Sequence, residues 1–350
     1  MSLEAAPVAN PLPPLTAKDF TTDQEVRWCP GCGDYSILAQ VQKVMPTLGI
    51  PRENFVIISG IGCSSRFPYY TNTYGMHSIH GRATAVASGL KMTRPELSVW
   101  IVTGDGDGLS IGGNHTIHLL RRNLDVNILL FNNQIYGLTK GQYSPTSEEG
   151  KNTKSTPFGS LDHPFNPAAL ALGADATFVA RTMDRDPKHL QAMLLRAHGH
   201  KGASFLEIYQ NCNIFNDGAF EVFTEKSSKP EETLFLEQGQ PLVYGAQQDK
   251  GIMLDGYKPR VVSLAEGSGF TKEDLWIHDE QDFFKAQILS RFFDDPAEEG
   301  HLPRPFGVFL AHSRATYEER MQLQLEETIA RKGPGDLDKL LAGKENWVIG

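Results

Sequence analysis

Two groups of residues in this 350-residue chain are equipped for chemistry. The first is Gly104-Asp105-Gly106-Asp107-Gly108, with Asn132-Asn133 following 26 positions after Gly106. Glycines let a backbone approach a phosphate closely. The dinucleotide fingerprint, however, is Gly-x-Gly-x-x-Gly, whose amides meet the pyrophosphate, whereas this turn carries two carboxylates. A bare carboxylate repels a diphosphate unless a divalent cation lies between them. Asp105 and the side-chain oxygen of Asn133 are hard donors that suit Mg2+. Phosphate oxygens, water and a backbone carbonyl such as that of Ile135 would complete the set. The pattern selects a metal-bridged diphosphate over a plain Gly/Asp turn beside an unrelated Asn-Asn turn.

The second group is the four cysteines. Cys29-Pro-Gly-Cys32 is a C-x-x-C pair, Cys63 stands in Gly60-Ile-Gly-Cys-Ser-Ser65, and Cys212 in Gln210-Asn-Cys-Asn213. Four in 350 is too sparse for a disulfide scaffold. Three readings fit the spacing: a tetrahedral structural zinc, a 4Fe–4S cluster, or a thioredoxin-like dithiol with two buried bystanders. A zinc ribbon would want a second C-x-x-C. His115 and His118, three apart on one helix, lack a third ligand and read as helix packing or exposure.

The elements that position these residues are legible from hydrophobic patterning. Phe55–Gly60, Leu97–Thr103, Val126–Phe131 and Phe205–Tyr209 are short apolar runs that suit buried parallel strands. His80–Lys91, Asn114–Arg122 and Pro187–His200 have helical spacing. Strand, helix and strand at this spacing make a βαβ unit, so a parallel sheet flanked by helices is expected. In such a sheet ligands sit at the carboxyl ends of strands, where Gly104-Asp105, Asn133, Cys63 and Cys212 all fall. Residues 141–167 form a long Ser/Thr/Pro/Gly-rich loop, a length usually tied to function or disorder. The expected organisation is an N-terminal arm (1–20), a main α/β domain (21–218) and a C-terminal extension (219–350). Helices are expected in the extension near Asp282–Phe293 and Tyr317–Arg331.

Composition closes off several classes. Apolar residues make up 40% and charged residues 21%, an ordinary globular balance. The net charge of −9 makes a poor nucleic-acid binder. No run approaches the roughly 18 apolar residues of a membrane span, and no signal-peptide pattern opens the chain. A reducing cytoplasm is the expected setting.

The text Gly104-Asp-Gly-Asp-Gly-Leu-Ser-Ile-Gly-Gly-Asn-His through Asn133-Gln-Ile-Tyr-Gly-Leu-Thr-Lys-Gly-Gln142 resembles the β subunit of 2-oxoacid:ferredoxin oxidoreductases, from about Asp23 to about Gly218. Within that family it is most similar to the bacterial 2-oxoglutarate enzymes. The resemblance implies a thiamine diphosphate-binding fold, with Mg2+ held by Asp105, Asn133 and Ile135. It implies that Cys29, Cys32, Cys63 and Cys212 ligate a 4Fe–4S cluster. Ile61, Gly62, Cys63, Ser64, His80, Gly81, Arg82, Gly104, Gly106, Asp107, Gly137 and Leu138 match cofactor-contacting positions. Arg82 reads as a charge partner for phosphate or substrate carboxylate. Lys140, at the mouth of the crevice, reads as a partner for the distal carboxylate of a dicarboxylic 2-oxo acid, its alternative being a solvated loop lysine. No glutamate here matches the one that activates thiamine diphosphate; the family supplies it from the α subunit. The implied reaction is reversible oxidative decarboxylation of 2-oxoglutarate with coenzyme A, giving succinyl-CoA and CO2, with electrons passing through the cluster to ferredoxin. The competing expectations are a pyruvate- or other 2-oxoacid-specific relative, a thiamine decarboxylase without electron transfer, and a non-catalytic, zinc-stabilised nucleotide-binding module.

Overall fold

The structure is a computed structural model, and it describes residues 14–293, 300–344 and 347. Most of the expected N-terminal arm lies outside the described residues. Eight strands form one sheet in the order β2-β1-β3-β4-β6-β5-β11-β7. They are β1 (Phe55–Ser59), β2 (Tyr74–His77), β3 (Ser98–Gly104), β4 (Val126–Asn132), β5 (Phe178–Met183), β6 (Ser204–Tyr209), β7 (Thr233–Phe235) and β11 (Arg304–Ala311). Every pairing is parallel except β5 with β11. A small antiparallel sheet of β8 (Val243–Tyr244), β9 (Lys250–Asp255) and β10 (Lys258–Ser263) lies in the C-terminal part.

Strand parity divides the core in two, because successive side chains point to opposite faces. Ile58, Val99, Ile101, Ile128 and Leu130 join one cluster, with Ala83 and Ala87 of helix Ala83–Thr93 and Leu119 and Leu120 of helix Gly113–Arg122. Ile57, Trp100, Val102, Leu129 and Phe131 join the other. There they meet Ile37 and Val41 of helix Asp34–Val44 and Leu190 and Leu194 of helix Pro187–Gly199. All of β4 is buried. This burial on both faces explains the unbroken apolar runs in the sequence.

The expected strands and helices of the main domain form, with ends shifted by a few residues. Two features differ from the expectation. The segment Phe178–Met183 (FVARTM) forms a central strand although Arg181 interrupts its apolar run. Arg181 is tolerated there because the equally buried Glu207 on β6 accepts from its Nε at 2.7 Å. The second difference concerns the C-terminal part. It does not only pack on the sheet: β11 and β7 extend it. The expected helices there are present as Phe283–Ser290 and Tyr317–Lys332. None of the described helices is long and apolar enough to cross a membrane.

Burial also sets a pH response. His189 meets Thr182 Oγ1 at 2.8 Å and His200 meets Thr177 Oγ1 at 2.8 Å. Burial pushes both imidazoles down to about 4. The folded chain therefore keeps them neutral while the unfolded chain protonates them near their usual 6.5. Their contribution to stability is complete above about pH 6.5 and falls away as the pH drops toward 4. In urea titrations at stepped pH, His189→Gln should flatten the loss across that window. An unchanged slope would contradict the assignment.

Candidate functional site

Because β1, β3, β4, β5 and β6 run parallel, their carboxyl ends share one edge of the sheet. Just past those ends come Cys63, Asp105, Asn133, Asp184 and Cys212. The segment after β3 does not enter an ordinary helix. Residues Gly106–Ile111 form a wide π-type turn, with the Gly112 amide donating to the Asp107 carbonyl at 3.1 Å. Such turns often mark functional positions.

The two aspartates of the turn have different duties. The buried Asp107 accepts from the Ile61 amide (2.9 Å), the Gly81 amide (2.7 Å) and His80 Nδ1 (2.7 Å) on Oδ1, and from Thr103 Oγ1 (2.6 Å) on Oδ2. It thereby ties the loop after β1, the turn before helix Ala83–Thr93 and the end of β3 to one carboxylate. Gly60 gives it room: a Cβ there would stand 1.9 Å from Asp107 Oδ2. Asp107, expected as a cofactor contact, has both carboxylate oxygens engaged by these four protein donors.

Asp105 is also buried, and its Oδ2 accepts from Ser144 Oγ (2.5 Å) and Thr146 Oγ1 (2.6 Å). Burial raises the Asp105 carboxyl above its usual range. Thr146 Oγ1 also lies 2.8 Å from Asn132 Oδ1, and Asn132 Nδ2 donates to Glu207 Oε1 at 2.8 Å. Contacts Arg181–Glu207–Asn132–Thr146 thus run from the middle of the sheet to Asp105, the single Thr146 hydroxyl hydrogen serving Asp105 Oδ2 and Asn132 Oδ1 in alternation. Asn132 was legible as part of the Asn132-Asn133 pair, whereas no local motif announces Arg181, Glu207 or Thr146.

Asn133 closes the next side of the crevice. Its Oδ1 accepts from the Ile135 amide at 3.2 Å, and its Nδ2 donates to Gln210 Oε1 at 2.8 Å. Gln134 takes a left-handed backbone, φ 56°, which turns the chain sharply after β4. Tyr136 then folds over Gly106, its hydroxyl donating to the Gly106 carbonyl at 3.0 Å. A Cβ on Gly106 would lie 2.2 Å from that ring. A Cβ on Gly81 would likewise lie 2.6 Å from the Gly112 amide nitrogen. Gly81 and Gly106 therefore have packing reasons for being glycine within this chain.

Other expected residues line the same edge. Ile61 and Leu138 are partly exposed, and Gly62 has open space at its Cβ position. Ser64 is buried beside Gly104, its Oγ 3.7 Å from that residue's Cβ position. Arg82 Nη1 donates to the His80 carbonyl at 3.1 Å. Lys140 is exposed with a left-handed φ of 75°, a strained conformation that clusters at functional sites. His115 and His118 fall on helix Gly113–Arg122.

The four thiols come together at this edge. The C-x-x-C turn closes through the Cys32 amide on the Cys29 carbonyl (3.0 Å). It docks on the Cys212 loop through the Gly33 amide to the Asn211 carbonyl (3.1 Å) and Asn213 Nδ2 to the Pro30 carbonyl (2.7 Å). Trp28 Nε1 donates to the Cys63 carbonyl at 2.6 Å. The Cβ position of Gly137 is 3.5 Å from the Cys212 sulfur and 3.6 Å from that of Cys63. Burial raises the Cys63 thiol to about 12, with Asp34, Cys212 and Cys29 adding to it. Cys32 is raised further, by burial first and then by Asp34, Cys212 and Cys63. Cys29 is the exposed member. No group of three or more His, Cys, Asp or Glu among the described residues is set to hold one metal ion. Beneath the thiols, burial and the neighbouring Asp184 raise the Asp34 carboxyl to about 7.

Comparison with known proteins identifies the family. Residues 60–208 match the family model described as "Thiamine pyrophosphate enzyme, C-terminal TPP binding domain". The chain is 52% identical over 340 residues to the "2-oxoglutarate oxidoreductase subunit KorB" of Mycobacterium tuberculosis, covering 96% of this chain and 89% of that one. It is 47% identical over 198 residues to "2-oxoacid:ferredoxin oxidoreductase 1, subunit beta" of Aeropyrum pernix, covering 57% and 62%. A solved structure, 2-oxoglutarate:ferredoxin oxidoreductase from Magnetococcus marinus with 2-oxoglutarate, coenzyme A and succinyl-CoA bound, matches with a TM-score of 0.73 and 32% identity over 94% of this chain and 95% of that one.

Asp107→Ala would leave two amides, a hydroxyl and an imidazole without their acceptor. Each buried group left unsatisfied costs about 1–3 kcal/mol. The variant should melt well below the parent, and its loop after β1 should exchange amide hydrogens faster. Equal melting and exchange would show that Asp107 does not brace the edge.

Proposed function

Because this chain belongs to the family of 2-oxoacid:ferredoxin oxidoreductase β subunits, we propose that it is the thiamine diphosphate- and cluster-binding half of an enzyme that converts 2-oxoglutarate and coenzyme A to succinyl-CoA and CO2, delivering the electrons to ferredoxin. The observation that carries this reading is the meeting of two donor sets at one sheet edge. Asp105 and Asn133 follow the paired ends of β3 and β4, and the Cys212 and Cys63 sulfurs lie 3.5 and 3.6 Å from the Cβ position of Gly137 in the segment that Asn133 opens.

The donor sets fit the groups implied. Asp105 is fixed through Oδ2 by two hydroxyls, and Asn133 Oδ1 and the Ile135 carbonyl complete a hard oxygen set for Mg2+. One carboxylate, one amide and one carbonyl leave the remaining positions to diphosphate oxygens and water. Cys32 and Cys63 are partly buried and repelled as thiolates by their neighbouring cysteines, which a cationic iron centre would offset. Thiamine diphosphate, when bound, supplies the electron sink for decarboxylation.

The chain's own part is to hold and to exclude. Asp107 and Tyr136 keep the crevice walls in place, and Ser144 and Thr146 aim Asp105. Arg82 and Lys140 supply the cations at its rim. Without a glutamate suited to activating the cofactor, the chain depends on the α subunit for that group. The finer assignments proposed here are Ile61, Gly62, Cys63, Ser64, His80, Gly104 and Leu138 as the cofactor's surroundings.

Anaerobically purified enzyme should be brown, with broad absorbance near about 400 nm. Cys212→Ser should lose most of that absorbance and the bound iron while keeping its fold by circular dichroism. A colourless parent protein holding zinc would refute the cluster assignment. For substrate choice, Lys140→Ala should lower kcat/KM for 2-oxoglutarate by about 10-fold or more, the scale of one lost charge-assisted contact, with pyruvate turnover little changed. Equal loss on both substrates would remove Lys140 as the specificity residue.

A further inference from the structure

Between the two donor sets stands a buried side chain with no assigned role, Gln210, 1% exposed at the end of β6. Its Oε1 accepts from Asn133 Nδ2 at 2.8 Å. Its Nε2 donates to the Cys32 sulfur at 3.3 Å and to the Asn211 carbonyl at 2.6 Å. Its backbone amide is anchored on the Asn132 carbonyl at 2.9 Å. An amide has two donor hydrogens and an acceptor oxygen, and every one of these is engaged. The orientation is therefore fixed: a flipped amide would face the Asn133 donor with its own donors and the sulfur with its oxygen.

We propose that Gln210 is a positioning residue that couples the cofactor-cation site to the cysteine cluster, holding Asn133 with one end and donating to the Cys32 sulfur with the other. The inference rests on the cluster and Mg2+–thiamine diphosphate assignments above and adds to them a specific link. A hydrogen bond to a cluster sulfur stabilises the added electron and makes the reduction potential more positive. Asn133 is turned so that Oδ1 faces the cation position only while its Nδ2 has an acceptor, and Gln210 Oε1 is that acceptor. Any shift of Asn133 on cation binding pulls on the same amide that donates to Cys32. The two sites then respond to each other through one rigid side chain, and reciprocally, as thermodynamic linkage requires. Gly137 brings the same segment against Cys63 and Cys212 but donates no side-chain group, so Gln210 is the polar arm of the contact.

The test uses the enzyme co-purified anaerobically with its partner subunit, in parent form and as Gln210→Met and Gln210→Glu. Met keeps the length and removes both polar ends. Glu keeps an acceptor for Asn133 and loses the donor to sulfur. The readout is the cluster midpoint potential from an EPR-monitored redox titration, with and without Mg2+–thiamine diphosphate, together with Mn2+ binding by EPR in the presence of the cofactor. Both variants should keep their iron and show a more negative midpoint than the parent. Gln210→Met should also bind Mn2+ about 10- to 100-fold more weakly, the usual consequence of removing a group that orients a metal ligand. Gln210→Glu should bind it nearly as the parent does. The shift of the parent's midpoint on adding cofactor should shrink in Gln210→Met. A Gln210→Met enzyme with full iron and unchanged midpoint and Mn2+ affinity overturns the coupling alone. A parent enzyme lacking cluster or Mn2+ binding overturns the functional reading beneath it.

Discussion

A carboxylate out of water must have donors, and the site of this protein is organised around two such carboxylates. Asp107 gathers its donors from three separate stretches: the loop after β1, the turn before helix Ala83–Thr93, and the end of β3. Once those are fixed, the backbone around Gly60, Gly81 and Gly112 has no room for side chains. Asp105, two residues earlier, takes its donors from a different place, the long loop at Ser144 and Thr146. Neighbours in sequence thus lock different parts of the molecule, and the crevice between them is the outcome.

The same principle explains the charged pair in the middle of the sheet. Arg181 and Glu207 are both fully buried, and replacing such a pair by apolar residues is often neutral or stabilising. The second oxygen of Glu207 accepts from Asn132, whose own oxygen lies beside the Thr146 hydroxyl next to Asp105, so the pair also fixes polar groups at the edge of the sheet. Stability alone would not require this arrangement; placing the polar groups around Asp105 accurately does.

The cysteine edge is built on the same scaffold. The C-x-x-C turn comes from the N-terminal region, Cys63 follows β1, and Cys212 follows β6. They meet because parallel strands end on a common side. Gly137 and Gln210 then bring the oxygen-donor half of the site into contact with the sulfur half. Cys29 is the exposed member of the cysteine edge.

Much of this was legible in the sequence. Runs of four consecutive apolar residues in β1, β3 and β4 mark the central strands, because a sheet covered on both faces must be largely apolar. The turn Gly104–Gly108, the Asn132-Asn133 pair and the cysteine spacing are local signals, since ligands of one site fall just after such strands. What sequence could not give was anything whose partner is distant in the chain. Arg181 breaks its strand's pattern, and only Glu207 across the ladder makes it tolerable. Ser144, Thr146 and Gln210 are ordinary polar residues until the fold sets them beside Asp105, Asn133 and Cys32. Asp107 read as a cofactor contact, and only the folded chain shows its oxygens taken by four donors. Periodicity and spacing are properties of neighbouring residues; hydrogen-bond satisfaction inside a core is decided by whatever the tertiary structure brings within about 3 Å.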